Sequence, residues 1–414
     1  MKYDLIVIGG GPAGMMVAGR AAENGARVLL IEKNDILGKK LLLTGKGRCN
    51  ITHAEFNVEN FCRYFGKSSY FLKPALYQFG PKEIIDFFEK RNVGIKIERG
   101  KRAFPKSDKS QDVLRALIDY LKNTNVEIKT GSTVKSVITE NKEIKKIILS
   151  DGKIFEANNY AVCSGGQSYP LTGSIGDGYL WLEKMEHSIV PPRPALVPII
   201  VKERFVKDIE GLSLKNVSIA IFQNNKKIDS RFGEALFTDN GMSGPIILDM
   251  SKKIGELLKT GSVDLEIDFK PALSFEILDE RLLRDFKEFS GKMFKNYLDE
   301  LLPKKIIPLI LKLSGIDPEK KINSISKDER KKIIHLLKNF KLTIDRTDGF
   351  ENAIITAGGV SLKEVDPKTM KSKIIKNLYL AGEILDIDGP TGGFNLQVCW
   401  STGFAIGENF KKIK

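Results

Sequence analysis

The apolar positions along the chain fall into three textures. Residues 4–8 read DLIVI and residues 26–32 read ARVLLIE, nearly continuous apolar runs. Such runs suit strands of a parallel sheet buried on both faces. Residues 12–24 between them have helical spacing, so the chain opens on one βαβ unit. Helical period returns at 112–122. Short strands are expected at 126–129, 134–138 and 144–149, with a turn at Asp151-Gly152, in the manner of a β-meander. A further apolar strand is expected at 160–163. The texture changes at Pro191, Pro192, Pro194 and Pro198, after which strand-like runs alternate with turns to about residue 270. Residues 275–340 are lysine-rich, with Leu, Ile and Phe at three- and four-residue steps. Near Ile354 the glycine-rich strand texture resumes. No internal repeat or low-complexity tail interrupts this order.

Glycines sharpen the first unit. Gly9, Gly11 and Gly14 form G-x-G-x-x-G between a strand and a helix, and Glu32 closes the second strand. In that setting Gly9 permits the turn, Gly11 lets the backbone approach a pyrophosphate and Gly14 lets helix pack on strand. The helix N-terminus, with Pro12 and Ala13, then faces phosphate, and Glu32 faces an adenosine ribose. This motif alone does not separate FAD from NAD. The other end of the chain does: a strand runs into Ala381-Gly382-Glu383, where the carboxylate can hold a ribityl chain. Gly392, Gly393, Phe394 and Asn395 then lead into a helix. Its N-terminal N–H groups would face the flavin pyrimidine edge. The fold class expected is α/β: a discontinuous Rossmann-type FAD-binding domain with an inserted β-rich domain and a helical subdomain. The boundaries are 1–190 for its first part, 191–270 for the β-rich insert, 271–344 for the helical insert and 345–414 for its last part.

Composition excludes several classes. The four cysteines, Cys49, Cys62, Cys163 and Cys399, lie far apart and the chain has only 3 histidines, so neither a disulfide framework nor a metal site is expected. No uncharged apolar run is long enough for a membrane span. The first residues lack a signal-peptide pattern, which points to the cytoplasm. Net charge is +14, and residues 63–109 hold twelve Lys or Arg against five Asp or Glu, half of that excess. Residues 61–77 read FCRYFGKSSYFLKPALY. Arg63, Lys67 and Lys73 alternate there with Tyr64, Tyr70 and other rings, and Arg102 and Lys106 extend the patch. Cations beside aromatic faces suit an unpaired RNA segment. The competing reading packs the rings into the core and leaves the lysines solvated, and it is the commoner one.

Several further segments carry a resemblance: Gly38-Lys39-Lys40, the loop from Thr44 through Arg48, Cys49 and Asn50 to Thr52, Arg102 to Ser107, Gly165-Gly166-Gln167-Ser168-Tyr169-Pro170, Thr172 to Gly178, Pro194 to Pro198, Phe237-Thr238 and Gly241 to Pro245. With both glycine motifs, the chain resembles, nearly end to end, the two-dinucleotide-binding-fold flavoproteins of the bacterial aminoacetone oxidase and bile-acid dehydro-reductase type. These in turn look like the flavoprotein ribosomal-RNA dihydrouridine synthases. Ile175 departs from the pattern, where a small polar residue is expected. The resemblance implies FAD, a cytoplasmic bacterial protein, and Lys33, Lys40, Arg48, Asn50, Val134, Gly165 and Gly166 among the cofactor residues.

The family does not decide the substrate. Cys49 is either a proton donor beside the flavin or, more commonly for a buried thiol, a packing residue. His53 is expected in a loop or capping role. A second G-x-G-x-x-G is absent, so NAD(P)H is expected to bind only transiently, over the flavin. The leading expectation is reduction of a double bond conjugated to a carbonyl, with uridine in ribosomal RNA as substrate. A small-molecule enone reductase or amine oxidase is the alternative, and a non-catalytic FAD-dependent binding factor the third. Oligomeric state stays open.

Overall fold

The computed structural model describes residues 2–410, which divide into two units, one built from the chain up to Ala195 and from Phe350 onward, the other from Leu196–Gly349. In the first, the two apolar runs pair in parallel: Leu5 to Ile8 lie against Val28 to Ile31 on one side and Asn159 to Val162 on the other. Strand Leu378–Leu380 and strand Glu127–Lys129 complete a five-stranded parallel sheet at its two edges. The central strands are buried on both faces, as their uninterrupted Leu, Ile and Val content requires.

The expected meander differs at its first strand. Residues Glu127–Lys129 leave helix Ser110–Asn123 and pair with Leu29 to Ile31, so they belong to the parallel sheet. The meander proper is Val134–Glu140, Glu143–Leu149 and Ile154–Phe155. Three short strands, Thr52–His53, Arg102–Pro105 and Ile95–Glu98, make a separate antiparallel sheet.

The two ends of the chain meet in this unit. Helix Pro12–Glu23 packs against helix Phe394–Glu408, and small residues set their separation. A Cβ on Gly403 would lie 2.7 Å from the Ala13 carbonyl oxygen, and one on Gly407 would lie 2.4 Å from Arg20 Cβ. Arg20 closes the contact with an ion pair to Glu408.

The second unit is a closed six-stranded barrel in the order Ile199–Val201, Gly241–Ser243, Lys226–Phe237, Ser213–Gln223, Val263–Asp268, Phe340–Thr347. The lysine-rich helices fall between its last two strands. Their inner faces, Leu278, Tyr297 and Ile333, share one apolar core with Ile219, Leu265 and Leu342 of the barrel. The expected boundaries at 190, 270 and 344 therefore shift. Strand Ile189–Ala195 pairs with Ile355–Val360 inside the first unit, and residues 340–347 are needed to close the barrel. The β-rich and helical inserts form one unit. No helix among the described residues is long and apolar enough to cross a membrane.

Candidate functional site

A cleft opens at the carboxyl ends of the parallel strands, the usual ligand position in such sheets. The three motif glycines have separable tasks. Gly9 has φ +107°, and a Cβ there would lie 2.4 Å from the Cys163 carbonyl oxygen. A Cβ on Gly14 would lie 1.8 Å from the Gly9 carbonyl oxygen, so the helix could not approach the turn. Gly11 has an ordinary φ of −79° and no atom within 4 Å of its missing Cβ, so a side chain there would project into the cleft. Pro12 follows at the first helical position and no side chain caps the helix, which leaves its first-turn N–H groups for an anion.

Glu32 is buried at the far side of this turn. Its carboxylate accepts from the Gly10 N–H at 2.7 Å, the Asn34 N–H at 2.8 Å and Asn34 Nδ2 at 2.7 Å. Lys33 pairs with Asp177 at 2.6 Å on the cleft wall. Val134 and Gly165 line the cleft too, and Ser164 presents a buried Oγ that has no hydrogen-bond partner among the described residues. An unsatisfied hydroxyl beside a glycine-floored cleft fits a polar ligand that supplies its partner.

Across the cleft Lys40 donates to Ser168 Oγ at 2.6 Å and to Glu383 Oε2 at 2.8 Å. Glu383 Oε1 also accepts from Ser168 Oγ and from the Thr356 N–H, each at 2.8 Å. Gly166 permits this cluster, because its Cβ would lie 2.4 Å from Thr356 Oγ1. Gly382, at φ +79°, brings Glu383 round, and its own N–H donates to Thr402 Oγ1 at 3.0 Å. The sequence assigns no site role to Asn34, Ser164, Ser168, Asp177 or Thr356, although Ser168 and Asp177 fall in the segments that carry the resemblance. They are ordinary polar residues on loops, on a strand (Thr356) and at a helix start (Asp177), and only the folded backbone brings them together.

The terminal helix begins at Gly392 and Gly393, both at positive φ. The close approach there is real: a Cβ on Gly393 would lie 2.4 Å from the Thr52 carbonyl carbon. Phe394 is buried at the centre of a ring cluster, stacked on His53 with centroids 4.3 Å apart, 4.4 Å from Tyr64 and 5.0 Å from Phe61. Asn395 turns away from the cleft and staples the preceding loop, accepting from the Gly389 N–H at 2.8 Å and donating to its carbonyl at 2.9 Å. Thr52 Oγ1 donates to Gln397 Oε1 at 2.6 Å, tying the strand to the helix.

The loop before that strand places two expected residues, Arg48 and Cys49, differently. Cys49 sits fully buried in the apolar core at φ +62°, and burial pushes its thiol up to about 12. A thiol so placed holds its proton too tightly to act as a general acid near neutral pH. Arg48 pairs with Glu98 at 2.9 Å and Asp108 at 3.2 Å and lies over the Phe104 ring at 3.9 Å, so its charge serves the small antiparallel sheet. Neither lines the cleft. Asn50 Oδ1 is buried without a partner among the described residues. Iodoacetamide at pH 8 is therefore expected to leave Cys49 unmodified in the folded protein; stoichiometric Cys49 adduct in a peptide mass map would contradict this placement.

The basic stretch divides by face. Phe61, Phe65 and Phe71 are buried, whereas Arg63, Tyr64, Lys67 and Tyr70 are exposed, Tyr70 at 86%. Lys73 is held by Glu59 at 2.5 Å, Arg102 stands 4.0 Å from Glu98, and Lys106 is exposed. Among the described residues no cluster of His, Cys, Asp and Glu is arranged to hold a metal.

Residues 3–409 match the model of the HI0933-like protein Rossmann domain. The chain is 32% identical over 404 residues, 97% of each chain, to the 3-dehydro-bile acid delta(4,6)-reductase of Clostridium scindens. It is 28% identical over 416 residues, 100% of this chain and 99% of the other, to the ribosomal RNA dihydrouridine synthase of Escherichia coli. Among solved structures, the 3-ketosteroid delta1-dehydrogenase of Sterolibacterium denitrificans superposes over the full length of both chains with a TM-score of 0.55 at 13% identity, a likeness of fold. A match that spans almost the entire chain, over a cleft with this glycine turn and Gly-Glu cluster, makes the protein a member of the HI0933-like Rossmann family of FAD-dependent oxidoreductases.

Proposed function

We propose that the protein reduces the double bond of a uridine in ribosomal RNA, giving dihydrouridine, with NAD(P)H as a transient electron donor. The observation that carries this reading is the exposed strip of Arg63, Tyr64, Lys67 and Tyr70, whose Tyr64 ring touches the Phe394 cluster at the start of the terminal helix. End-to-end similarity to relatives named for that activity supports it. Reduced FAD bound in the cleft would supply at N5 the hydride for the carbon β to the uracil carbonyl, and water or a protein acid would supply the proton for the α carbon.

The chain's own residues do the rest. The first-turn N–H groups after Gly11 hold the pyrophosphate, and Glu32 accepts from the adenosine ribose. Glu383, oriented by Lys40 and Ser168, holds the ribityl hydroxyls. The N-terminus of the terminal helix favours the negative charge that develops at the pyrimidine edge. A base locked in a stack cannot enter such a site, so the target nucleotide must be unpaired or flipped, with Tyr64 and Tyr70 as stacking faces.

Mass spectrometry of ribosomal RNA from wild-type and gene-deletion strains tests this. One dihydrouridine is expected to disappear in the deletion strain; if every dihydrouridine remains, the reading fails. A second reading, a small-molecule enone reductase, is favoured by the 32% identity to the bile-acid enzyme. The two separate on one variant. Arg63→Ala/Tyr70→Ala is expected to lower RNA turnover about tenfold or more, with a shallower salt dependence, while leaving reduction of a small enone unchanged. Equal loss on both substrates would remove the strip from RNA recognition.

A further inference from the structure

The functional reading leaves the buried imidazole of His53 unused. His53 is 9% exposed, and its Nδ1 is buried with no hydrogen-bond partner among the described residues. A Cβ on Gly392 would lie 3.7 Å from that nitrogen, so it faces the glycine turn that begins the 15-residue terminal helix. The N-cap there is Gly393, which has no side chain to satisfy the first-turn N–H groups. An unfilled helix N-terminus and an unpartnered imidazole nitrogen thus open on the same place. Phe394 fixes the ring by stacking at 4.3 Å and 23°, and Tyr64 and Phe61 enclose it at 5.6 and 6.5 Å.

We propose that His53 is a proton-holding, positioning residue for the flavin, its Nδ1 taking up a proton from solvent when the cofactor is reduced. This rests on the reading that the flavin pyrimidine edge lies at the start of the terminal helix. Two electrons and one proton go to the flavin, together as hydride from a donor or as electrons from an electrode with a proton from solvent, and the second proton goes from solvent to Nδ1. Two protons in all then accompany two electrons.

The surroundings favour such a response. Burial, reinforced by Lys101, pushes the imidazole below its ordinary value, opposed by the Gly392 backbone and Glu55. Lys101 and Glu55 are themselves paired at 2.6 Å. Arg102 lies across the strand pair, Arg63 and Tyr64 stand on the adjoining turn, and Asp386 and Asp388 occupy the loop before the helix. His53 is therefore neutral near pH 7 while the flavin is oxidised. New negative charge at the helix N-terminus favours the charged imidazole and raises its pKa.

Spectroelectrochemical titration of the FAD-loaded protein from pH 6 to 8 tests this. The wild type is expected to take up two protons per two electrons in part of that range, and His53→Gln only one, at unchanged FAD content. Identical proton counts and potentials in both proteins would overturn the proposal. Should the variant lose its flavin, ¹⁵N-histidine NMR of the wild-type protein decides, since it has only 3 imidazoles to resolve. One imidazole is expected to become doubly protonated on reduction with dithionite, and the proposal falls if all three keep their state. Wild-type protein that purifies without FAD would instead refute the placement of the cofactor.

Discussion

Gly11→Leu is expected to give a folded but colourless protein, with less than about a tenth of the wild-type FAD content, a loss of at least about 1.4 kcal/mol in cofactor binding. The backbone at Gly11 is in a region open to any residue, and no atom lies within 4 Å of the added Cβ, so the fold itself does not resist the change. The new side chain instead occupies the floor of the cleft, where phosphate must approach the free N–H groups of the first turn. Gly14→Leu is the contrast. Its Cβ would meet the Gly9 carbonyl oxygen at 1.8 Å, so helix and turn must separate, and loss of the folded state itself is expected. Absorbance at the flavin band per protein, set beside a thermal melt, separates the two effects. A Gly11→Leu protein with full FAD would refute the pyrophosphate assignment.

Phe394→Ala is expected to cost about 3–5 kcal/mol of stability, the range for emptying a buried aromatic site. Phe394 is 2% exposed and is the common neighbour of His53, Phe61, Tyr64 and Phe65. His53 lies on a strand and the other three on the helical segment that follows it, and these elements limit how far the rings can collapse into the space. The residue also follows the glycine turn, so its loss loosens the start of the terminal helix. Urea denaturation followed by circular dichroism measures the cost. A loss below about 1 kcal/mol would mean that the ring cluster repacks and is not what holds the strand Thr52–His53 under the helix.

Much of the first unit was legible in the chain because its signals are local. The run at 4–8 and the glycines that follow determine a strand, a turn and a helix within a few residues of one another, and the observed bounds, Tyr3–Ile8 and Pro12–Glu23, differ from expectation by one residue at one end of each. Strand Glu127–Lys129 was misplaced for the opposite reason. Three residues carry no period long enough to tell a meander from a sheet edge, and the partner is nearly a hundred residues away. The insert showed the same limit. Its strands and helices were visible in texture, but closure of the barrel by Phe340–Thr347 depends on pairing across the helical segment.

The cofactor cleft divides along the same line. Gly9, Gly11, Gly14, Glu32 and the Gly382-Glu383 turn were legible in the sequence as candidates, because backbone conformation and nucleotide chemistry restrict residue type at fixed spacing. The environments of single side chains were decided only by the tertiary structure. Arg48 and Cys49 adjoin in sequence, yet one is held by Glu98 and Asp108 while the other is sealed in the core. His53, given only a loop role by its sequence, stands with a bare nitrogen at the mouth of the terminal helix. Charge partners and burial are set by segments distant along the chain, so they exist only once those segments have packed.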